Sequence, residues 1–212
     1  MVNEQTIHII EDDSAMRDAL SLMLTIEGYV VHTYESAQLF FEAIGKAESG
    51  CVVTDVRMPG IGGIELLATM GMKGQLAFLP VILITAHADI QLAVQAMKQG
   101  AFDFLEKPFD GDILLASIRK ALVRSDDEQL RDVEAQTIRD KLEKLTPREN
   151  EVLAGLLKGQ HNKAIAGELG IGMRTVEAHR ASVMAKMGAA SLSELLRMAL
   201  VIPRVRESGL GR

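Results

Sequence analysis

Short apolar runs alternate with longer amphipathic segments over the first 124 residues, and this alternation limits the fold more than any other feature of the chain. The run Val81–Ile84 shows no polar alternation, as expected of a strand that is buried on both faces. Strands that alternate with helices predict a parallel sheet covered on both faces, with right-handed crossovers. The predicted strands are Ile7–Ile10, Val30–Tyr34, Cys51–Asp55, Val81–Thr85 and Phe102–Glu106, and the predicted helices begin near Ser14, Ser36, Gly63, Ala88 and Asp112.

Polar residues stand where the predicted strands end. Asp55 closes a β-rich run and precedes the turn at Pro59–Gly60, which places its carboxylate at the carboxyl end of a buried strand. Open parallel sheets hold their chemistry at this rim, because the carboxyl ends of the strands meet there. Four further residues end apolar runs in the same way and are expected to lie near Asp55: Glu11, Asp12, Thr85 and Lys107.

Together these side chains predict a phosphoryl-transfer site. Three neighbouring carboxylates repel one another unless a divalent cation lies among them, and hard oxygen ligands with room for water suit Mg²⁺. A carboxylate beside Mg²⁺, here Asp55, is able to attack a phosphorus atom. Lys107 would neutralise one phosphoryl oxygen, and the Thr85 hydroxyl would donate a hydrogen bond to another. Each residue alone also has a structural interpretation, such as a helix-start acid, so the prediction depends on their joint occurrence.

The composition excludes several classes of protein. No apolar stretch reaches the roughly 18 residues of a membrane span, and the N-terminus has no basic segment followed by an apolar one, which favours a cytoplasmic protein. The single cysteine, Cys51, makes no internal disulfide and is expected to be buried. The net charge is −7 over residues 1–124, −3 over 125–144 and +4 over 145–212. Only the last segment suits a polyanion, and since all eight aromatic residues lie in the first segment, base stacking on single strands is disfavoured.

Residues 112–146 contain neither glycine nor proline. Their apolar residues recur at helical spacing as far as Leu122, thin out over 125–128 and resume weakly from Leu130. This pattern predicts one long, mostly solvated helix or a helix with one break. A passive tether and a lever or dimerising coil both agree with it.

The remaining residues predict four short helices that include a helix-turn-helix. Thr146–Glu149 is a capping box with Pro147 at the first helical position, and Ser191–Glu194 is a second capping box. Asn162 is expected to cap the second helix, and the third, basic helix spans Arg174–Met187 after a tight turn. Two short helices joined in this way are typical of proteins that read the DNA major groove.

The third of these helices offers one face to the domain core and the opposite face to DNA. Val176, Val183 and Met187 recur at helical spacing and are expected to face the core. An α-helix fits the major groove, where side chains read base edges while flanking cations contact phosphates. The base-edge candidates are Glu177, Ala178, Arg180 and Ala181, and the phosphate candidates are Lys163, Arg174, Thr175, His179 and Lys186.

Residues 7–124 resemble the receiver domain of two-component response regulators. The motifs that carry the resemblance are the acidic pair Glu11–Asp12, Asp55 followed by Met58–Pro59–Gly60, Thr85, and Lys107–Pro108. The resemblance implies a five-stranded, doubly wound, flavodoxin-like parallel sheet with strand order 2-1-3-4-5.

This resemblance also implies a role for each residue at the rim. Asp55 would accept the phosphoryl group, and the Mg²⁺ ligands would be Glu11, Asp12, Asp55 and the Arg57 carbonyl. Lys107 would contact the phosphoryl group, while Thr85 and Phe104 would switch position with it. The family more often has an Asp-Asp pair where this chain has Glu11–Asp12, so Asp12 is expected to be the firmer metal ligand.

Residues 145–202 resemble the LuxR-type effector domain. The matching stretches are Leu145–Glu149, Arg174–Arg180 and Met184–Met187. A receiver joined to this effector defines the NarL/FixJ subfamily of response regulators. The residues of the motifs are similar to those of its nitrogen-fixation members. The implied organisation is a receiver at 5–124, a helical linker at 125–144, an all-α four-helix helix-turn-helix domain at 145–202 and a flexible tail at 203–212.

The two resemblances imply a phosphorylation-activated transcriptional regulator of nitrogen-fixation genes. It would be no enzyme beyond self-phosphorylation and slow self-dephosphorylation. Its expected partners are a sensor histidine kinase, by resemblance a haem-based oxygen sensor, and double-stranded promoter DNA. Further expected partners are a second copy of the chain after phosphorylation and RNA polymerase, with no membrane involved.

Two other classes of function are compatible with parts of the sequence. A phosphatase or phosphotransferase also uses an aspartyl phosphate on a doubly wound sheet, but no second acid follows Asp55 at short spacing to protonate a leaving group. The terminal helices would alternatively bind protein instead of DNA. Multiple turnover of a phosphomonoester would identify the enzyme, and a steep salt dependence of duplex binding would exclude the protein-binding module.

Overall fold

The computed structural model describes residues 5–44, 50–73, 79–86, 89–122 and 128–201, with side chains throughout these ranges except at 128–135 and 201. The predicted helix start at Ala88 and the predicted tail at 203–212 lie outside the described residues, as does most of the predicted break at 125–128. The chain divides into two compact units, residues 1–88 with 99–124 and residues 89–98 with 125–212. The domain boundaries given above stay a prediction.

Strands and helices alternate along the chain from Thr6 to Leu122 as the sequence predicts, and all of these elements except the helix at Ile90–Lys98 belong to the first unit. Its elements are β1 (Thr6–Ile10), α1 (Ser14–Ile26), β2 (Val30–Tyr34), α2 (Ala37–Ala43), β3 (Cys51–Asp55), α3 (Gly63–Met72), β4 (Val81–Thr85), β5 (Asp103–Glu106) and α5 (Gly111–Leu122). The second unit holds α4 (Ile90–Lys98), α6 (Glu128–Glu143), α7 (Pro147–Leu157), α8 (Asn162–Leu169), α9 (Met173–Met187) and α10 (Leu192–Val201).

The five strands form one parallel sheet in the order β2-β1-β3-β4-β5, which confirms the flavodoxin-like fold. The register aligns the carboxyl ends of the central strands, because Ile10 pairs with Thr54 and Asp55 pairs with Ile84. Thr85 pairs in turn with Glu106 on β5. The residues that end β1, β3, β4 and β5 therefore share one rim.

The core of the first unit lies on both faces of this sheet. Side chains alternate between the two faces along each strand. One face packs Ile9, Val53 and Ile84 against α1 and α5, where Leu24 and Ile118 are fully buried. Cys51 belongs to this core as a free thiol, as predicted, and burial raises its pKa. A rim held by strands buried on both faces offers a rigid support for chemistry.

The regular elements among the described residues of the second unit are all helices, and two of their predicted caps are supported by side-chain hydrogen bonds. Thr146 and Glu149 make the full capping box at α7. The Ser191 hydroxyl accepts from the Glu194 amide at 3.1 Å, and the Glu194 carboxylate accepts from the Ala190 amide at 2.8 Å. The prediction that Asn162 caps α8 is wrong, because Asn162 is already the first helical residue and the cap position carries no side-chain bond. Within the described residues, no helix combines the length and apolar character needed to cross a membrane.

Candidate functional site

Asp55 lies at the end of the most central strand of the sheet and is 8% exposed. The backbone amide of Arg57 donates a 2.7 Å hydrogen bond to Asp55 Oδ1. This bond fixes Oδ1 and leaves Oδ2 for other partners. A buried carboxylate held by its own loop is the geometry expected of a positioned nucleophile.

Lys107 occupies the centre of the rim. Its ammonium lies 2.5 Å from Asp55 Oδ2 and 2.8 Å from Glu11 Oε2, so one cation bridges two carboxylates from different strands. The Lys107 amide donates to the Thr85 carbonyl at 2.7 Å, which continues the pairing of β5 with β4 and aims the lysine at the rim. The structure thus brings Asp55, Glu11 and Lys107 together, as the sequence predicts.

The electrostatics of this bridge favour a charged lysine. Burial acts to lower the pKa of Lys107, but its hydrogen bonds to Asp55 and Glu11 outweigh burial, and the net shift is upward. Burial raises the pKa of Glu11 and outweighs the opposing contact with Lys107, since Glu11 is only 2% exposed. Lys107 therefore remains a cation at neutral pH, whereas burial makes the ionised form of Glu11 less favourable.

Asp12 stands apart from this bridge. Its side chain is exposed, whereas the backbone carbonyls of Glu11 and Asp12 accept from the Arg17 guanidinium at 2.6 and 3.3 Å. Asp13 accepts from the Met16 amide and caps α1. The loop is thereby held at the rim, with Glu11 turned inward and Asp12 turned toward solvent.

The oxygen atoms at the rim suit a hard cation, although in this structure the Lys107 ammonium contacts two of the carboxylates. Carboxylates of Glu11, Asp12 and Asp55 with a backbone carbonyl at Arg57 are the oxygen ligands that Mg²⁺ prefers. Among the described residues, no three His, Cys, Asp or Glu side chains are gathered closely enough to hold a metal ion. The chemistry of the donors fits Mg²⁺, and the Lys107 ammonium lies between two of them.

The two predicted switch residues lie on neighbouring strands below the rim. Thr85 ends β4 and is 1% exposed, and Phe104 in β5 is 8% exposed. Phe104 pairs with Leu83, two positions before Thr85. Both side chains are therefore buried in this structure, and their switching role stays a prediction.

The basic helix α9 presents the faces that its sequence predicts. Val176, Val183 and Met187 are fully buried. Gly170 ends α8 in the left-handed conformation, which glycine adopts without strain, and Gly172 starts α9 without a side-chain cap. The helix-turn-helix geometry is thus present in α8 and α9.

The predicted DNA contacts differ in their exposure. Lys163, Arg174, Thr175, Glu177, Ala178 and Ala181 are exposed, and His179, Arg180 and Lys186 are partly buried. The Lys186 ammonium lies 2.7 Å from Glu149 and 3.2 Å from the Lys144 carbonyl, so it points into its own domain. The structure therefore gives Lys186 a structural contact and gives the predicted phosphate contact no support.

Both halves of the chain match known families. Residues 7–119 match the response regulator receiver domain, and residues 143–199 match the bacterial regulatory proteins of the luxR family. The chain is a two-component response regulator with a LuxR-type DNA-binding domain. Response regulators of this class are transcription factors, and neither family indicates an enzyme.

Relatives of this response regulator align over nearly its whole length. The transcriptional regulatory protein FixJ of Bradyrhizobium diazoefficiens is 46% identical over 94% of this chain and 97% of its own. The C4-dicarboxylate transport regulator DctR of Rhodobacter capsulatus is 39% identical over 91% of this chain and 98% of its own. Among solved structures, full-length FixJ from B. japonicum is 47% identical, with a TM-score of 0.55 over 93% of this chain and 96% of its own.

Glu149 has a second role in this response regulator that the sequence did not reveal. Its carboxylate accepts from the Ser182 hydroxyl at 2.6 Å, from the Lys186 ammonium at 2.7 Å and from the Thr146 amide at 2.7 Å. The capping-box pattern predicts only the last of these bonds. A buried carboxylate at the start of α7, 4% exposed, thus contacts two residues of α9.

These bonds predict a pH dependence of stability. The contacts with Lys186, Ser182 and Thr146 lower the pKa of Glu149 from 4.5 to about 2. A lowered folded-state pKa stabilises the fold above the ordinary pKa, and the contribution is lost as pH falls through the folded value. We expect Glu149→Gln to lower the free energy of unfolding by a constant amount above about pH 5, and the difference to shrink between 4.5 and about 2.

Glu151→Gln is the matched control for this measurement. Glu151 lies on the same helix but pairs with Arg148 on the exposed surface, at 2.8 Å, where an ion pair contributes little. Denaturant unfolding followed by circular dichroism at several pH values measures both variants. A Glu149→Gln deficit that persists unchanged at pH 2 would contradict the assignment.

Proposed function

We propose that this response regulator accepts a phosphoryl group on Asp55 from a sensor histidine kinase and then binds promoter DNA to activate transcription. The observation that supports this best is the Lys107 ammonium, which bridges Asp55 and Glu11 at the rim of a receiver domain. A chain that joins this site to a LuxR-type domain converts a phosphorylation signal into DNA binding. As a DNA-binding regulator it would act in the cytoplasm.

The chemical step uses the residues at the rim. An Asp55 carboxylate oxygen attacks phosphorus and forms the new P–O bond, while the P–N bond to the kinase histidine breaks and the electron pair leaves with the imidazole. Glu11, Asp12, Asp55 and the Arg57 carbonyl would hold Mg²⁺, which would supply positive charge to the phosphoryl oxygens. Lys107 pairs with a phosphoryl oxygen in place of its present carboxylate partners.

The response to phosphorylation begins at the buried residues next to the rim. The Thr85 hydroxyl turns to donate to the new phosphoryl oxygen, and Phe104 follows into the space that is released. These movements alter the surface formed by β5 and α5, which then pairs with a second copy, releases the DNA-binding domain, or does both. The change is a shift between two populated states.

The regulated genes are proposed from the relatives. Identity of 46–47% to FixJ proteins supports nitrogen-fixation promoters and a haem-based oxygen-sensing kinase as partner. Identity of 39% to DctR makes promoters of C4-dicarboxylate transport genes the natural comparison. Contact with RNA polymerase would complete the activating role.

Gel-shift titration tests the proposal with promoter fragments of both kinds. We expect a small phosphodonor with Mg²⁺ to raise the affinity for the nitrogen-fixation fragment by about tenfold or more, in the range of typical coupling between two sites. Affinity should also fall steeply as salt rises, because phosphate contacts release counterions. Equal affinity with and without phosphodonor would contradict phosphorylation control, and preference for the transport fragment would reassign the regulated genes.

A further inference from the structure

The C-terminal end of α6 packs within the second unit close to the DNA-reading helix α9. Ile138 near this end is 3% exposed, and Leu145 just beyond it is 6% exposed. Apolar burial at both positions anchors the end of α6, since removing aliphatic side chains from water stabilises the packed state. The end of the predicted linker is therefore held by the domain that binds DNA.

Two lysines join these helices in opposite directions. The Lys141 ammonium of α6 donates to the Met187 carbonyl, the last residue of α9, at 2.8 Å. The Lys186 ammonium of α9 donates to the Lys144 carbonyl, one residue past the end of α6, at 3.2 Å. Each helix thus supplies a cation to the C-terminal end of the other.

The bond from Lys141 satisfies a carbonyl that α9 cannot satisfy by itself. The last four carbonyls of a helix have no partner within the helix. The amides of Gly188 and Ala189 turn back to Met184 and Ala185, and Lys141 takes the carbonyl of Met187. A cation at this position also stabilises the negative end of the helix dipole.

We propose that Lys141 is a positioning residue for DNA recognition, which fixes the C-terminal end of α9 from the helix that precedes the domain. This inference depends on the proposed DNA binding. The bond from Lys141 sets the position of α9 along its axis and its rotation relative to α6. Glu149 of α7 holds Ser182 and Lys186 of the same helix. A displacement of α6 is transmitted to the side chains that read the DNA, so α6 acts as a lever and not as a passive tether.

The DNA duplexes for the test are those that the wild-type protein selects. Full-length wild type, treated with phosphodonor and Mg²⁺, selects duplexes from a random-sequence pool, and a scrambled duplex of equal composition serves as the non-specific probe. Affinities of Lys141→Met, Lys141→Arg and Lys144→Met are then measured for both duplexes, well below the melting temperature of each variant. Lys144 lies at the same end of α6 with an exposed side chain, so Lys144→Met removes an equal charge without removing the cap.

Lys141→Met is expected to lower the ratio of specific to non-specific affinity by about tenfold, as for loss of one charge-assisted hydrogen bond. Lys141→Arg should restore most of the ratio, and Lys144→Met should leave it unchanged. A role confined to stability would lower the melting temperature of Lys141→Met but not the ratio, and that result would overturn the inference. The same loss in Lys144→Met would also overturn it, whereas failure of wild type to select any duplex would refute the proposed function itself.

Discussion

Asp55→Asn is expected to abolish the effect of phosphodonor on DNA binding. The substitution keeps the size of the side chain and the acceptor for the Arg57 amide, which binds Asp55 Oδ1 at 2.7 Å. It removes the anionic oxygen that would attack phosphorus, and an amide is no nucleophile for this reaction. The variant should bind the promoter fragment with the affinity of untreated wild type, whether or not phosphodonor is present, as measured by gel shift.

Asp13→Asn controls for the loss of one negative charge near the rim. Asp13 is exposed and caps α1 through the Met16 amide, and asparagine caps a helix equally well. This variant should keep the full response to phosphodonor. If DNA binding by Asp55→Asn still responded to phosphodonor, another residue would be the phosphoryl acceptor.

Gly63→Ala is expected to destabilise the fold of the first unit. A β-carbon at Gly63 would overlap the Asp55 carbonyl oxygen and would lie 2.9 Å from Leu83 Cδ2 and 3.1 Å from Val56 Cα. Backbone atoms of a central strand cannot yield to it, so the start of α3 must move away from β3. Overpacking of this kind costs about 1–3 kcal/mol or more, and here it also displaces the backbone that carries Asp55.

Denaturant unfolding of Gly63→Ala measures the loss of stability, and phosphoryl uptake measures the displacement of Asp55. Gly167→Ala is the matched control, because a β-carbon at Gly167 meets open space within α8. Alanine is a better helix former than glycine, so this control should be neutral or slightly stabilising. A Gly63→Ala variant with wild-type stability and uptake would show that α3 does not constrain the site.

The sheet was predictable because its strands are short runs of apolar and β-branched residues that end in turns. The bounds of β3 and β4 agree with the sequence residue for residue, since burial on both faces leaves no competing pattern. The convergence of Glu11, Asp55 and Lys107 was also predictable, because strand ends of a parallel sheet meet at one rim. The family match confirms the fold and the two kinds of domain.

The orientation of individual side chains was harder to predict. The family resemblance implies that Asp12 is a firmer metal ligand than Glu11, and this stays a prediction. In the structure Glu11 contacts Lys107 and Asp12 faces solvent. This choice depends on the path of the loop after β1, which the Arg17 guanidinium fixes through backbone carbonyls. Residue types at fixed spacing carry no information about such a loop.

Contacts between distant helices left no signal in the sequence. The sequence identifies Glu149 as a helix cap and places Lys141 in a solvated linker helix, yet both side chains contact α9. Lys186 is predicted to contact phosphate for the same reason: the sequence shows its charge but does not show that Glu149 is its partner. Periodicity predicts which face of a helix is buried, but it does not predict which polar atoms meet across the interface.

Intact-protein mass spectrometry detects whether Asp55 accepts a phosphoryl group. Wild type incubated with a small phosphodonor and Mg²⁺ should gain the mass of one phosphoryl group, located by peptide mapping to the segment that contains Asp55. Asp55→Asn should gain none under the same conditions, and Asp13→Asn should gain one. Absence of the modified wild-type species, or an equal gain in Asp55→Asn, would contradict the account.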